Sequence, residues 1–223
     1  MNNLIVCPKG GLGNRLRVIF SFWCFCQSKI HDQTKNLKLQ IVWEKDKYCN
    51  GLFLDFFKEI PDVIFKNSDN CLITTSRRLK TISDELYVNS LRYLQINDEI
   101  QLILNNYLNL LGEFDAVHLR RTDHVKLAKK NKKFVKLEKF EEFISKSKNV
   151  FLATDCPKTQ NYLMKKYQQI NVFNKINNNK KLRKTSLGDS VFDMFICIQA
   201  KEFMGTPFSS FSDLIKYKRF LNK

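Results

Sequence analysis

The chain has 223 residues, of which 43% are hydrophobic and 13% aromatic, a composition that supports a packed core and excludes a globally disordered chain. Its formal net charge of +16 favours anionic partners such as a nucleic acid, a nucleotide or an acidic glycan, although a general bias toward Lys and Asn codons would produce the same charge. Seven scattered cysteines without a C-x-x-C pair argue against a disulfide framework and predict a reducing, cytoplasmic compartment.

The amino terminus does not have the pattern of a signal peptide, because its first apolar run is a short strand that ends at Pro8. The apolar run Val18–Cys26 is far shorter than the roughly 20 residues that a membrane-spanning helix needs. We therefore expect no transmembrane segment and no membrane anchor.

A strand at Leu4–Cys7, a glycine-rich turn and a helix from Arg15 to Ser28 form the first predicted unit of structure. A strand, turn and helix in this order direct backbone N–H groups and a helix amino terminus toward an anion. Glycine turns between strands and helices are common, so a simple tight turn with a solvated Arg15 is the alternative interpretation.

The rest of the amino-terminal half alternates between strands and helices. Asn97–Leu111 has the pattern of a clear helix, with Asn97 as its N-cap and Gly112 as its end. The alternation predicts an α/β fold. The other elements predicted here are strands at Leu37–Trp43, Val63–Phe65 and Cys71–Thr75 and a short amphipathic helix at Leu52–Phe57.

A strand near the middle of the chain ends in a dense group of polar side chains, H-L-R-R-T-D-H at residues 118–124. Because a strand alternates faces, His118 and Arg120 point to one side and Arg121 to the other. A guanidinium group can donate two parallel hydrogen bonds to the oxygens of one phosphate. Ligands of open α/β sheets bind beyond the carboxyl ends of the strands. We therefore predict an anion site for a diphosphate, with a structural Arg121–Asp123 pair as the alternative.

The carboxyl-terminal half continues the same alternation. A helix at Ser186–Ala200 carries Asp193 among apolar residues, where a carboxylate needs a partner. Serines after Thr206 lead into a final helix whose amino terminus is suited to a phosphate. The remaining predicted elements are a basic loop and helix from Lys126 to Ser147, a strand at Val150–Asp155, a helix at Thr159–Gln168 and a strand at Ile170–Phe173.

Four motifs resemble blocks of the α1,6-fucosyltransferase and NodZ group of the fucosyltransferase superfamily: GGLGNR at 10–15, HLRRTD at 118–123, FLATD at 151–155 and GTPFSSFS at 205–212. The resemblance implies a compact GT-B-like arrangement of two Rossmann-like lobes, with the active site in the cleft between them. Residues 1–111 would form the acceptor-side lobe and residues 112–223 the donor-nucleotide lobe. The implied reaction is inverting, metal-independent transfer of a sugar, expected to be L-fucose from GDP-fucose, to a glycan hydroxyl.

The resemblance also suggests roles for individual residues. Arg120 would stabilise the departing diphosphate with help from Arg15, and Asp123 or His124 would serve as the general base. The α1,6 enzymes have a Lys directly after the R-R-T-D block and a Glu a few residues on, where this chain has His124 and Ala128, so Glu138 is a further candidate for the base. The residues expected to bind the donor are Gly11, Gly13, Asn14, His118, Arg121, Thr154, Asp155, Asp193, Thr206, Ser209 and Ser210.

We expect no cofactor and no metal, because the chain lacks a D-x-D pair and its three histidines have no ligand spacing. Two other classes of protein stay open. A catalytically inactive nucleotide- or glycan-binding protein would keep the donor pocket without a base. A basic nucleic-acid-binding domain would use the lysine-rich loops, although no recognised nucleic-acid motif is present and no specific nucleic acid is expected.

Overall fold

The computed structural model describes residues 2–30, 37–67, 70–122, 134–174 and 185–222. The chain divides into two compact units. The first comprises the residues up to Ile100 together with the last residues from Phe220, and the second comprises Gln101–Arg219. Within the described residues, no helix is both long and apolar enough to cross a membrane.

The first unit is built on a four-stranded parallel sheet with the strand order β3-β2-β1-β4. Helix α1 packs against β1 and β2, and its side chains are buried nearly all round, as its uninterrupted apolar sequence requires. The bounds are β1 Asn2–Pro8, α1 Leu12–Ile30, β2 Leu37–Val42, β3 Val63–Lys66, β4 Ile73–Thr75 and α2 Asp84–Ser90.

The helix predicted at Leu52–Phe57 is wrong. The segment makes a single turn, in which the Phe57 N–H donates to the Phe53 carbonyl at 3.0 Å. The ring of Phe53 stacks on Phe65 of β3 at a centroid distance of 4.2 Å and on Phe57 at 4.8 Å. Six residues give too few backbone hydrogen bonds to sustain a helix, so aromatic packing decides the local conformation.

Helix α3, Asp98–Leu111, confirms the helix predicted here. The N–H of Ile100 donates to Asn97 Oδ1 at 2.9 Å, so Asn97 is the N-cap. Gly112 follows the helix with φ +68°, a left-handed conformation that glycine adopts without strain.

The second unit repeats the topology of the first, with four parallel strands in the order β7-β6-β5-β8. Its core packs Val117 and Leu119 of β5 against β6 and the helices on one face of the sheet. The bounds are β5 Asp115–Leu119, α4 Leu137–Lys146, β6 Val150–Thr154, α5 Pro157–Lys166, β7 Ile170–Asn171, α6 Leu187–Gln199, β8 Phe203–Gly205 and α7 Ser210–Leu221.

The shared strand order fixes where a ligand can bind in each unit. The order reverses beside β1 in the first sheet and beside β5 in the second, because the fourth strand is added on the opposite side from the second and third. In open parallel sheets the ligand crevice lies at the carboxyl ends of the strands at this reversal. In the second unit that position is between the ends of β5 and β8.

Candidate active site

His118 is the penultimate residue of β5, close to the carboxyl end of the strand, where the crevice of the second unit is predicted. Because Val117 and Leu119 face the core helices, His118 points to the opposite face, where helix α7 lies. The residue is 7% exposed. The Nδ1 atom is 2.7 Å from Ser212 Oγ, and the ring centroid is 4.7 Å from that of Phe211.

Thr206 fixes the backbone on the β8 side of the crevice. Its hydroxyl donates to the His118 carbonyl at 2.8 Å and accepts the N–H of Arg120 at 3.0 Å. The Thr206 N–H also donates to the His118 carbonyl, at 3.0 Å. One side chain therefore joins the exits of two neighbouring strands and sets the backbone from which the Arg120 side chain projects.

Asp155 and Thr154 fix the same segment from the β6 side. The Thr154 hydroxyl donates to the Leu119 carbonyl at 2.7 Å. Asp155 Oδ1 accepts the Arg121 N–H at 2.9 Å, and Oδ2 accepts the Thr122 hydroxyl at 2.5 Å. The structure thus uses the polar groups of FLATD to hold the loop after β5. Direct contact of Thr154, Asp155 or Thr206 with a donor stays a prediction.

The two arginines have different surroundings. The side chain of Arg120 is 18% exposed, and its Nε lies 3.9 Å from Asp155 Oδ2. The guanidinium carbon of Arg121 lies 5.5 Å from the ring centroid of Phe134, and its buried Nη1 has no hydrogen-bond partner in the described part of the chain. Asp123, the alternative partner predicted for Arg121, and His124 both lie outside the described residues.

The amino terminus of α7 forms the β8 wall of the crevice. Ser209 is fully buried and Ser210 is 9% exposed, and the helix begins at Ser210. The N–H of Asp213 donates to the Ser209 carbonyl at 2.9 Å, which closes the first helical turn. The serine-rich motif therefore places backbone N–H groups and a positive helix end beside the exit of β5.

Asp193 lies on α6, the helix that precedes β8 in the chain. Burial, with a smaller contribution from the negative charge of Asp189, raises the pKa of the Asp193 carboxyl well above its usual range. Burial and the charge of Asp193 raise the pKa of Tyr107 to about 12. No hydrogen bond joins Asp193 to His118, Arg120 or Thr206 among the described residues, so its contact with the donor stays a prediction.

The glycine-rich turn of the first unit lies at the end of β1. The N–H groups of Asn14 and Arg15 both donate to the Gly11 carbonyl, which begins α1. Gly10 has φ +87°, and a Cβ at this position would lie 2.8 Å from Asn14 Nδ2, so another residue here would be strained. Gly13 is the second residue of α1 and is buried.

The guanidinium of Arg15 is fully buried in the first unit. Its Nε donates to the Gly10 carbonyl at 2.9 Å, its Nη1 donates to the Glu44 carbonyl at 2.7 Å, and its Nη2 lies 2.8 Å from Asp46 Oδ2. The group also lies over the ring of Trp43, 4.9 Å from the centroid. The solvated Arg15 of the alternative interpretation is therefore wrong. The side chain shapes the turn, and its contact with a diphosphate stays a prediction.

Ser212 is the site residue that the sequence did not single out. It follows Ser209 by three positions, so the two share a helix face, and it is fully buried against His118. A third serine in the cluster was the only sequence signal for it.

These features describe an α/β protein with a candidate site for an anion at the strand-order reversal of its second unit. Residues 13–222 match the sequence profile of the GDP-fucose protein O-fucosyltransferase family. The chain belongs to this family, and the predicted membership of the fucosyltransferase superfamily and the predicted GDP-sugar-dependent glycosyltransferase are confirmed. No curated protein matches the chain by sequence.

Comparison with solved structures agrees with the family. The chain is similar to NodZ α1,6-fucosyltransferase soaked with GDP-fucose, with a TM-score of 0.67 and 14% identity over 97% of this chain and 92% of that chain. Fucosyltransferase NodZ from Bradyrhizobium matches with a TM-score of 0.62 and 14% identity, over 97% of this chain and 93% of that chain. The apo form of POFUT1 matches with a TM-score of 0.67 and 14% identity, over 98% of this chain and 95% of that chain. At these identities the likeness establishes the fold alone, and it confirms the predicted α/β, GT-B-like fold class.

Proposed function

We propose that the chain transfers L-fucose from GDP-fucose to an acceptor hydroxyl, with inversion at the sugar and without a metal ion. The finding that carries the proposal is the double attachment of the loop after β5. Thr206 holds the Arg120 N–H from one side, and Asp155 holds the Arg121 N–H from the other. A guanidinium on a backbone fixed in this way is preorganised for charge that develops beside it.

The chemistry assigned to this geometry is stabilisation of the leaving group. As the glycosidic bond breaks, the sugar becomes oxocarbenium-like and negative charge grows on the departing diphosphate. Arg120 would provide most of the stabilisation of that negative charge. The N–H groups at the start of α7, at Ser209 and Ser210, would also donate to the diphosphate. Positive charge from the protein would then do the work that a divalent cation does in metal-dependent glycosyltransferases.

Asp193 and the acceptor base complete the proposed assignments. A carboxylate accepts both the ring N–H and the amino group of guanine, which gives Asp193 a role in selecting the GDP donor. Deprotonation of the acceptor is assigned to Asp123 or His124, with Glu138 as the third candidate. The acceptor hydroxyl lies on a glycan according to the α1,6-type motifs, whereas the name of the family indicates a hydroxyl on a protein.

The first experiment is a thermal-shift panel with GDP, UDP, ADP, CMP, GDP-fucose and GDP-mannose. A ligand at about 100 times its dissociation constant adds about 2.7 kcal/mol of stability. We expect a shift with guanine nucleotides that Asp193→Ala abolishes. A shift with UDP alone would overturn the assigned donor. Salt-sensitive binding of generic nucleic acid without any nucleotide shift would favour a nucleic-acid-binding domain instead.

Turnover separates an enzyme from an inactive binding protein. With labelled GDP-fucose and panels of peptide and oligosaccharide acceptors, Arg120→Ala is expected to lose at least ~100-fold in turnover, as for other preorganised charge partners. Arg120→Lys keeps the charge and is the matched control. Turnover of Arg120→Ala close to that of the unmodified chain would remove Arg120 from the mechanism.

A further inference from the structure

We propose that Ser212 is a positioning residue that holds His118 as the tautomer protonated on Nε2, so that His118 donates a hydrogen bond to an oxygen of the bound nucleotide and cannot act as the general base. The identity of the ligand rests on the function proposed above. The assignment of the proton rests on the structure of the second unit alone.

The hydroxyl of Ser212 is the observation that carries the inference. Ser212 is fully buried, so water cannot satisfy its hydroxyl hydrogen. In the described part of the chain, the hydrogen-bond partner of that hydroxyl is His118 Nδ1, at 2.7 Å. A buried hydroxyl that donates to nothing costs free energy, so the Ser212 O–H donates to Nδ1.

The direction of this hydrogen bond fixes the proton of the imidazole. A neutral imidazole has one nitrogen that accepts and one that donates. Because Nδ1 accepts from Ser212, Nε2 carries the hydrogen. The only lone pair in the ring plane then points at Ser212, and no lone pair is left to remove a proton from an acceptor sugar or peptide.

Neighbouring residues hold the imidazole of His118 in place against Ser212. His118 pairs with Gly205 of β8, and a Cβ on Gly205 would lie 2.8 Å from Ser212 Cβ and 2.9 Å from Ser212 Oγ. The missing side chain of Gly205 therefore makes room for Ser212. Phe211 packs on the imidazole, and Thr206 holds the His118 carbonyl through two hydrogen bonds.

An Nε2–H donor selects oxygen acceptors, which a nucleoside diphosphate offers on both its ribose and its phosphates. Two probes distinguish these sources: GDP has both, and guanosine has only the ribose. If His118 contacts the diphosphate, His118→Gln weakens GDP binding and leaves guanosine binding unchanged. Equal weakening for both probes assigns the contact to the ribose.

Nitrogen NMR on the full chain labelled with 15N-histidine tests the tautomer directly. The chain has three histidines, His31, His118 and His124, so the spectrum of His118→Gln identifies the resonances of interest. We expect a protonated, pyrrole-type Nε2 and an unprotonated, pyridine-type Nδ1 for His118 at pH 8. A pyrrole-type Nδ1 would overturn the proposal, whether or not any nucleotide binds.

Substitution of Ser212 tests the functional consequence. In Ser212→Ala we expect a mixed tautomer, GDP affinity weaker by up to about tenfold, the scale of one hydrogen bond, and an altered pH profile of kcat/KM. Ser212→Thr keeps the hydroxyl and is expected to restore all three. Ser90→Ala, at a buried serine of the first unit whose hydroxyl donates to the Tyr87 carbonyl, is the matched control.

The outcomes separate the two proposals. A pyrrole-type Nε2 without any nucleotide binding supports the tautomer and overturns the proposed ligand. Unchanged GDP affinity and pH profile in Ser212→Ala would overturn the positioning role even if transferase activity is found. Since the tautomer is measured on the unmodified chain, misfolding of a Ser212 variant does not remove the test.

Discussion

Replacement of Thr206 by valine tests whether the crevice depends on its attachment to β8. Valine has the shape of threonine without the hydroxyl, so the substitution removes the two hydrogen bonds of Oγ1 and leaves the packing in place. The His118 carbonyl keeps the Thr206 N–H at 3.0 Å. The Arg120 N–H, which donates to Oγ1 at 3.0 Å, loses that acceptor in a partly buried position.

The expected cost follows from this asymmetry. A hydrogen-bond donor that loses its acceptor in a partly buried site lowers stability by about 1–3 kcal/mol. This is more than the cost of removing the donor and the acceptor together. Each kcal/mol lowers Tm by about 2–4 °C in a chain of this size. Because Arg120 then projects from a backbone that is fixed on one side only, we expect kcat/KM to fall on the order of 10- to 100-fold, the scale of a small misplacement of a catalytic group.

Thermal unfolding and steady-state transfer from labelled GDP-fucose measure both effects. Thr206→Ser keeps the hydroxyl and loses only a methyl group, so it is the matched control. The reasoning is refuted if Thr206→Val has the same Tm and the same kcat/KM as Thr206→Ser. A loss of stability with unchanged kcat/KM would show that Asp155 alone is sufficient to place Arg120.

Three further substitutions test other parts of the second unit. Gly205→Ala should cost about 1–3 kcal/mol in urea unfolding, because the new methyl group collides with Ser212; full stability would show that α7 yields easily. Arg219→Ala removes a guanidinium that donates to four carbonyls between residues 197 and 201 at the end of α6, and should lower the free energy of unfolding by about 1–3 kcal/mol. Arg219→Lys should have a stability between those of Arg219→Ala and the unmodified chain. Equal stability of the two variants and the unmodified chain would contradict a capping role for Arg219. Burial raises the pKa of Asp193, so the native state loses stability as pH rises from about 4 through the folded pKa. Asp193→Asn has no carboxyl to ionise, so it should be more stable than the unmodified chain at pH 7 but not at low pH. Lower stability of the variant at pH 7 would contradict a raised pKa of Asp193.

The fold was predictable where one local signal was strong. The helix at Asn97–Leu111 carried a cap, a periodic apolar pattern and a terminal glycine, and the structure has all three. Buried strands such as Val150–Thr154 were predictable from continuous apolar runs bounded by polar residues. Helix α2 was missed because, of its seven residues, Tyr87 and Ser90 alone are buried, which leaves no apolar pattern to recognise.

The roles of the site residues were not accessible in the same way. The sequence predicted polar side chains at the ends of β5, β6 and β8, and the structure has them there. It did not show that the Thr154 and Thr206 hydroxyls hold carbonyls 35 and 88 positions away in the chain. Nor did it show that Arg15, which the resemblance predicts at the active site, would be fully buried by the segment Trp43–Asp46. Such partners depend on strand order, which local patterns do not encode.

The outermost strands of both sheets are short. β3 has four residues, β4 and β8 have three each, and β7 has two. A short outer strand presents few unpaired backbone groups to another chain, which limits strand-by-strand aggregation of a protein rich in apolar β segments. The brevity of β8 has a second effect. The chain leaves the sheet after Gly205, level with His118, and the next residue, Thr206, hydrogen-bonds through its side chain to the backbone of His118 and Arg120. The same feature thus limits self-association and leaves the backbone after Gly205 free of strand pairing at the predicted site.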